Sequence, residues 1–432
     1  METILAEQFR GTDVGREAEE LLRPCVQCGQ CTFICPTFRV LDDERDGPRG
    51  RVRMIHDLFE GKAPGAEIQL HLDRCLTCRS CETSCPQGVR YGRLLDIARE
   101  LVEKSVPRPL GQRLARRALR AVVPHRSRFT ALLRIGQAVR GVLPGALRAR
   151  VPARRPAGAW PHRAHARSML VWQGCVQPAL APDINAAAAR VLDRFGIRLI
   201  AARAGCCGAL SHHLAATDEA LDFMRRTIDA CWPQIEAGAE AVVMTASGCG
   251  AHVRDYGHLL RNDPRYRDKA KRFSELVKDI AEVVAEEWPD DLLPESSAAS
   301  GERPRGPRIA FQSSCSLQHG EKLNGVVEKL LRRAGFTLAP VAYAFMCCGA
   351  AGSYSLLQPE LAGALRGRKI ETLMACRPKL VATANVGCMV HLAATSPVPV
   401  RHWIELLDEA AQEAERGDQS GNAGDTLRVP DR

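Results

Sequence analysis

Residues 25–36 read CVQCGQCTFICP and residues 75–86 read CLTCRSCETSCP. The spacing Cys-x2-Cys-x2-Cys-x3-Cys-Pro therefore occurs twice, with every cysteine offset by 50 positions. Two-residue gaps let three thiolates converge on one cluster from a tight loop. The fourth cysteine, followed by proline, lies on the departing chain and ligates the other cluster in two-cluster ferredoxins. This pattern assigns Cys25, Cys28, Cys31 and Cys85 to one [4Fe–4S] cluster, and Cys35, Cys75, Cys78 and Cys81 to a second. Four-cysteine zinc sites also use CxxC pairs, but they do not need the doubled arrangement with its prolines.

The sequence around these loops reads as helix. Residues 46–61, DGPRGRVRMIHDLFEG, carry a turn and then a helical apolar pattern. Residues 89–104, VRYGRLLDIARELVEK, repeat Leu94, Leu95, Ala98, Leu101 and Val102 at helical spacing. The expectation is a helical two-[4Fe–4S] ferredoxin domain over residues 1–105, not the compact β-hairpin kind.

With 432 residues, 45% hydrophobic and 25% charged, the chain is long enough for several folded domains and is not dominated by disorder. Eighteen cysteines in a chain without a signal-peptide pattern point to metal or redox chemistry in a reducing compartment. No apolar run is long enough to span a bilayer as a helix. The expected location is cytoplasmic.

The formal charge of +10 has one source: fifteen arginines and no carboxylate between Arg108 and Arg167. Residues 106–167 read as an Arg-rich linker with two amphipathic helices, at 109–123 and 129–143. These either pack on neighbouring domains with solvated arginines, or present a surface to anionic lipid or an acidic partner. No zinc-finger, RRM or KH pattern accompanies the arginines, so nucleic acid is not an expected partner.

The C-terminal half is an internal repeat. Residues 169–265 and 308–402 correspond at an offset of about 140. Cys175 answers Cys315, the pair Cys206-Cys207 answers Cys347-Cys348, Cys249 answers Cys388, and His252 answers His391. Each repeat alternates strand, cysteine loop and helix, which implies parallel α/β units with the cysteines at strand ends. The fold class is thus α+β multidomain: the helical ferredoxin domain, then two α/β cysteine-rich repeats at 168–300 and 301–410, then a polar, disordered tail at 411–432. The eight repeated cysteines with His252 and His391 form a candidate second redox or metal site. Cys231 and Cys376 do not match across the repeat and read as small apolar core residues.

Two CxxCxxCxxxCP runs followed by two CCG repeats resemble the iron–sulfur subunits that serve FAD-linked hydroxyacid dehydrogenases. The cysteine-rich half alone also resembles heterodisulfide reductase subunits and lactate-utilisation proteins. The strings HLDRCLTCRSCETSCPQGVRY, GCVQPALAPDINAAAARVLDRFGI, TASGCGAHVRDYG and VRHWIEL look like the glycolate oxidase iron–sulfur subunit family, a likeness running from about residue 20 to 410. The resemblance implies an electron-transfer subunit with no catalytic residue of its own, inactive alone toward glycolate. It also implies FAD-containing dehydrogenase partners and a quinone or membrane electron acceptor at the cytoplasmic face of the inner membrane, with peripheral attachment. Alternatives are the corresponding subunit of a D-lactate or anaerobic glycerol-3-phosphate dehydrogenase, or a heterodisulfide-reductase-like thiol/disulfide enzyme. The sequence departs from the broader CCG pattern in one respect. That pattern ends each motif in CxxC, and here the last position is His252 or His391, which cannot bridge two irons as a thiolate does.

Overall fold

The computed structural model describes residues 1–148, 151–202, 204–289 and 307–422, without the side chains of 146, 147 and 417–422. In the N-terminal part, short helices are strung between the cysteine loops. Thr12 Oγ1 accepts from Gly15 N–H and starts the helix Asp13–Leu22. Pro36, which closes the first cysteine run, opens the helix Pro36–Leu41, and Pro48 opens Pro48–Phe59. At a first helical position the missing N–H would have no partner in any case. The long helix Tyr91–Ser105 buries Leu94, Leu95 and Ala98 against Leu22, Ile55, Phe59 and Leu72. The 3.6-residue period seen in the sequence is the period of this buried face.

The linker contains the helices Leu110–Val122 and Arg126–Ala138, and no residue of either is buried. Leu110, Leu114, Leu132, Ile135 and Val142 are exposed. Part of the arginine content is spent inward. Arg108 pairs with Asp73 and Glu103, Arg120 with Glu219, and Arg126 donates to Gln173.

Each repeat builds a four-stranded parallel sheet. The first contains β1 (Arg167–Trp172), β2 (Ile197–Ala202), β3 (Val242–Met244) and β4 (Val277–Asp279), in the order β2-β1-β3-β4. The second contains β5 (Arg308–Gln312), β6 (Thr337–Ala339), β7 (Leu380–Thr383) and β8 (Val400–His402), in the order β6-β5-β7-β8. In the first sheet Arg167 faces Ile197 and Val242 faces both Leu170 and Val277; in the second Ile309 faces both Leu338 and Leu380. The helices Asp183–Arg194 and Val326–Arg333 are each followed by a glycine in the left-handed region, Gly196 (φ 72°) and Gly335 (φ 90°), which reverses the chain into the next strand.

The two repeats are not separate globules. One core joins Val171, Ile184, Leu192 and Val284 of the first to Ile309, Leu331, Trp403 and Leu407 of the second. The helix Trp403–Asn422 belongs to the second repeat by sequence but lies on Asp183–Arg194 of the first. There Arg190 and Arg194 donate to Asp408 at 2.7 and 2.9 Å, and Arg194 to Glu415 at 2.7 Å. This corrects the expectation of a disordered tail from residue 411. Residues 411–422 continue the helix because Ala411 is buried, Ala414 packs on the shared core, and Glu415 finds its partner across the repeat boundary. The expected boundary at 300/301 and residues 423–432 lie outside the described residues.

Candidate iron–sulfur and thiol centres

The two cysteine runs fold into loops of the same shape. Gln27 and Thr77, which occupy matching positions, have φ of 57° and 54°; Gly29 and Arg79, also matching, have φ of 80° and 58°. Side chains other than glycine avoid this region at a cost of order 1 kcal/mol per residue, so a loop that holds it twice is held there by its surroundings. The conformation turns main-chain N–H groups toward sulfur: Thr77 N–H lies 3.4 Å from Cys75 Sγ.

Cys25, Cys28, Cys31 and Cys85 line one small cavity with Val52 and Tyr91. Burial pushes the Cys31 thiol up to about 11, and Cys25, Cys85 and Cys28 add to the shift because a second negative charge among them is unfavourable. Cys35, Cys75, Cys78 and Cys81 line a second cavity beside Tyr91 and Arg51. Burial is again the main cause that raises Cys81, followed by Cys78, Cys75 and Cys35. Four gathered soft donors in each cavity fit an iron–sulfur cluster there. Behind the second set lies a fully buried carboxylate. Asp46 accepts from Arg51 Nη2 at 3.3 Å, from His71 Nδ1 at 3.0 Å and from Arg74 Nη1 at 2.9 Å.

The thiols of the repeats gather in the same way. Cys206 lies among Cys175 and Cys207, and Cys207 also meets Cys249. In the second repeat Cys315 Sγ lies 3.7 Å from Cys347 Sγ, and Cys348 meets Cys347 and Cys388. The second cysteine of each pair is held well below the usual thiol range. For Cys207 the donors are Cys206 and Cys249; for Cys348 they are Cys347 and Cys388. Gly208 N–H lies 3.4 Å from Cys206 Sγ, and Gly349 N–H is equally close to Cys347 Sγ. Gly208 (φ 84°) and Gly349 (φ 89°) permit no side chain there, since an added Cβ would come within 2.9 and 2.8 Å of a main-chain oxygen.

The second N-terminal thiol set and the thiols of both repeats open on one space. A cavity of about 620 Å³ is lined by Cys75 and Cys78 of the ferredoxin part, by Cys175, Cys206, Cys207 and Cys249 of the first repeat, and by Cys315, Cys347 and Cys388 of the second. Cys78 and Cys315 pack into one apolar cluster with Leu76, Cys347 and Tyr354. The parts are tied together around it. Arg79 pairs with Asp255 at 2.6 Å, Thr83 Oγ1 lies 3.0 Å from His319 Nδ1, and Tyr354 Oη donates to the Arg74 carbonyl at 3.1 Å.

Residues 21–89 match the 4Fe-4S dicluster domain family, and residues 169–254 and 309–393 match the cysteine-rich CCG domain family. The glycolate oxidase iron-sulfur subunit of Escherichia coli (strain K12) is 49% identical over 414 residues, covering 95% of this chain and 100% of the relative. The chain belongs to the glycolate oxidase iron–sulfur subunit family. The probable glycolate oxidase iron-sulfur subunit of Bacillus subtilis (strain 168) is 28% identical, covering 91% of the chain and 94% of the relative. A fumarate reductase (CoM/CoB) subunit of Methanothermobacter marburgensis is 24% identical over 90% of the chain and 72% of its own length.

For this family member the two repeated histidines are not equivalent. His391 Nε2 lies 3.3 Å from the Ala362 carbonyl, an ordinary main-chain partner. His252 is 6% exposed and its Nε2 has no partner among the described residues. Cys231 is fully buried in the first repeat's core, and burial pushes its thiol up to about 12. Cys376 lies on the rim and meets the Pro340 carbonyl. Neither lines the shared cavity.

Two features had no sequence signal. Lys369 is buried among the second thiol set and donates to the Tyr343 and Ala344 carbonyls at 3.2 and 3.1 Å. Asp96, His212 and His213 form a polar cluster between the ferredoxin part and the first repeat. These residues are far apart in the chain, and only the tertiary fold brings them together.

Proposed function

We propose that this chain is the electron-carrying subunit of a glycolate-oxidising complex, with two [4Fe–4S] clusters held by the eight N-terminal cysteines. In this reading an FAD-containing partner oxidises glycolate to glyoxylate, and the two electrons leave through this chain to a quinone-type acceptor. The observation that carries the reading is the common cavity, on which thiols of the second cluster set and of both repeats open. Bound clusters supply one-electron carriage. The chain's own residues supply the setting. The second left-handed loop presents the Thr77 N–H to Cys75 sulfur, the buried Asp46 network fixes the wall behind Cys35, and the glycine-flanked pairs let the repeats approach the ferredoxin part closely.

The exposed apolar residues Leu110, Leu114, Leu132, Ile135 and Val142, set among arginines, support peripheral attachment to an anionic membrane surface, which would place the exit beside a lipid-soluble acceptor. Among the described residues no helix is long and apolar enough to cross a membrane.

The test reconstitutes the complex with Cys348→Ser and follows two steps separately. Flavin reduction by glycolate should stay normal while delivery to a soluble quinone falls. Loss of flavin reduction with assembly intact would place the repeats at the substrate end instead.

A further inference from the structure

Four side chains from three elements meet at the seam between the ferredoxin part and the first repeat, and the electron-carrying role does not use them. Asp96 stands on the helix Tyr91–Ser105. His212 and His213 end the helix Ala209–His213, which follows the first CCG loop. His252 lies in the helix Ser247–Val253. Asp96 and His212 are each 9% exposed at the side chain. Asp96 Oδ1, His212 Nδ1, His213 Nδ1 and His252 Nε2 are all buried without a hydrogen-bond partner among the described residues. A buried polar atom left without a partner is costly, so this group of neighbouring orphans calls for a common partner.

The spacing says what that partner is. His212 Nδ1 and His213 Nδ1 each lie 3.9 Å from a different oxygen of Asp96, too far for hydrogen bonds, and one donor atom from each of the three residues lies within 4.8 Å of the others. The ring centroids form a near-equilateral triangle: His212–His252 5.3 Å, His212–His213 5.9 Å and His213–His252 5.9 Å. A cation about 2.1 Å from each nitrogen at tetrahedral angles puts ring centroids about 5 Å apart and donor atoms about 3.4 Å apart. The ring spacings are thus already close to those such an ion imposes. The guanidinium of the same helix that acts on Asp96, Arg99, donates its hydrogen bonds elsewhere, to Thr77 Oγ1 at 3.0 Å and to the Leu72 and Cys75 carbonyls at 2.8 Å.

We propose that Asp96, His212 and His213 bind one divalent cation of the zinc type, with His252 next to them, in a nitrogen and oxygen shell beside the CCG thiols of the first repeat. Imidazole nitrogens and a carboxylate suit such a borderline cation, whereas the neighbouring thiols suit softer iron–sulfur chemistry. Because Asp96 comes from the ferredoxin part and the histidines from the first repeat, the ion clamps the two together.

The experiment uses anaerobically purified, cluster-loaded full-length protein given one equivalent of zinc and then desalted. Zinc content and zinc-edge X-ray absorption are measured for wild type, for Asp96→Asn and for the pair His212→Ala with His213→Ala. About one zinc per chain is expected, with nitrogen and oxygen scattering only, and affinity at least about tenfold weaker in both variants. Unchanged cluster absorbance shows that a variant is folded, and Asp96→Asn, nearly isosteric, stands in if the double variant is not. Sulfur scattering near about 2.3 Å would put zinc at the thiols and overturn the proposal. So would equal retention by folded variants, or no retention by wild type.

Discussion

Replacing Asp46 with alanine removes the one carboxylate that three cationic or ring donors share behind the second cluster set. Arg51, 1% exposed, would keep its bonds to Thr37 Oγ1 at 3.2 Å and to the His71 carbonyl at 2.8 Å but lose its counter-charge. Removing one partner of a buried pair costs about 3–5 kcal/mol, because the other charge stays buried. Set against the roughly 5–15 kcal/mol typical of a whole domain, that is a large share. The damage reaches a proposed cluster ligand directly, since Cys35 Sγ lies 3.3 Å from Thr37 Oγ1 and 4.0 Å from Arg51 Nη1. The assay is native-state hydrogen exchange on the holo protein, read at the amides of the helix Pro48–Phe59. Their protection should fall by about two to three and a half orders of magnitude, at about 1.4 kcal/mol per factor of ten. The apolar double variant Asp46→Leu with Arg51→Met should recover most of it, because no buried charge is then left alone. A loss below tenfold in the single variant, or a double variant no better than the single, would refute the reasoning.

Cys28→Ser should lower iron from about eight to about four per chain while the second cluster's spectrum persists, and unchanged iron would sink the ligand assignment. Binding to anionic vesicles should weaken steeply with salt, and should fall at least about tenfold for Leu114→Glu with Leu132→Glu, since each exposed leucine offers about 1.5–3 kcal/mol on burial; equal co-sedimentation at all salt concentrations and in the variant would remove the membrane reading. Burial, with the Glu282 carboxylate alongside, pushes Asp279 up to about 7. The folded state therefore keeps a proton that the unfolded chain releases near pH 4, so this stability is full below about pH 4 and is lost as pH rises through about 7. Asp279→Asn, which keeps the cap on Ala281, should reduce that slope in thermal unfolding across this window, and an unchanged slope would contradict the shift.

Much of this architecture is legible in the residues because thiol chemistry and backbone period both leave marks in sequence. The doubled cysteine spacing requires loops of one shape, and the matching left-handed positions at 27, 29, 77 and 79 are its consequence. Strands β1, β3, β5 and β7 are apolar runs leading into cysteines, so their ends announce a site. Strands β4 and β8, VKD and VRH, are three-residue edges with a polar residue inside each, and no pattern distinguishes them from loop. The helix beyond 410 was illegible for a different reason. Its stabilising partners, Arg190 and Arg194, lie more than 200 residues earlier, as the spacing of Arg194 from Asp408 and Glu415 shows. Asp96 likewise lies more than 100 residues before His212 and His213. The repeat made His252 and His391 look alike, and only packing separates the histidine with a carbonyl partner from the one without.

The central claim is that electrons from glycolate pass through the N-terminal cysteine-bound centres of this chain. Freeze-quench electron paramagnetic resonance of the complex, assembled with its flavoprotein partner and mixed anaerobically with glycolate in the absence of acceptor, tests it most directly. Signals of reduced [4Fe–4S] centres should appear no more slowly than glyoxylate is formed in turnover, with one signal absent in Cys28→Ser. Glyoxylate production coupled to acceptor reduction while these centres stay oxidised would contradict it.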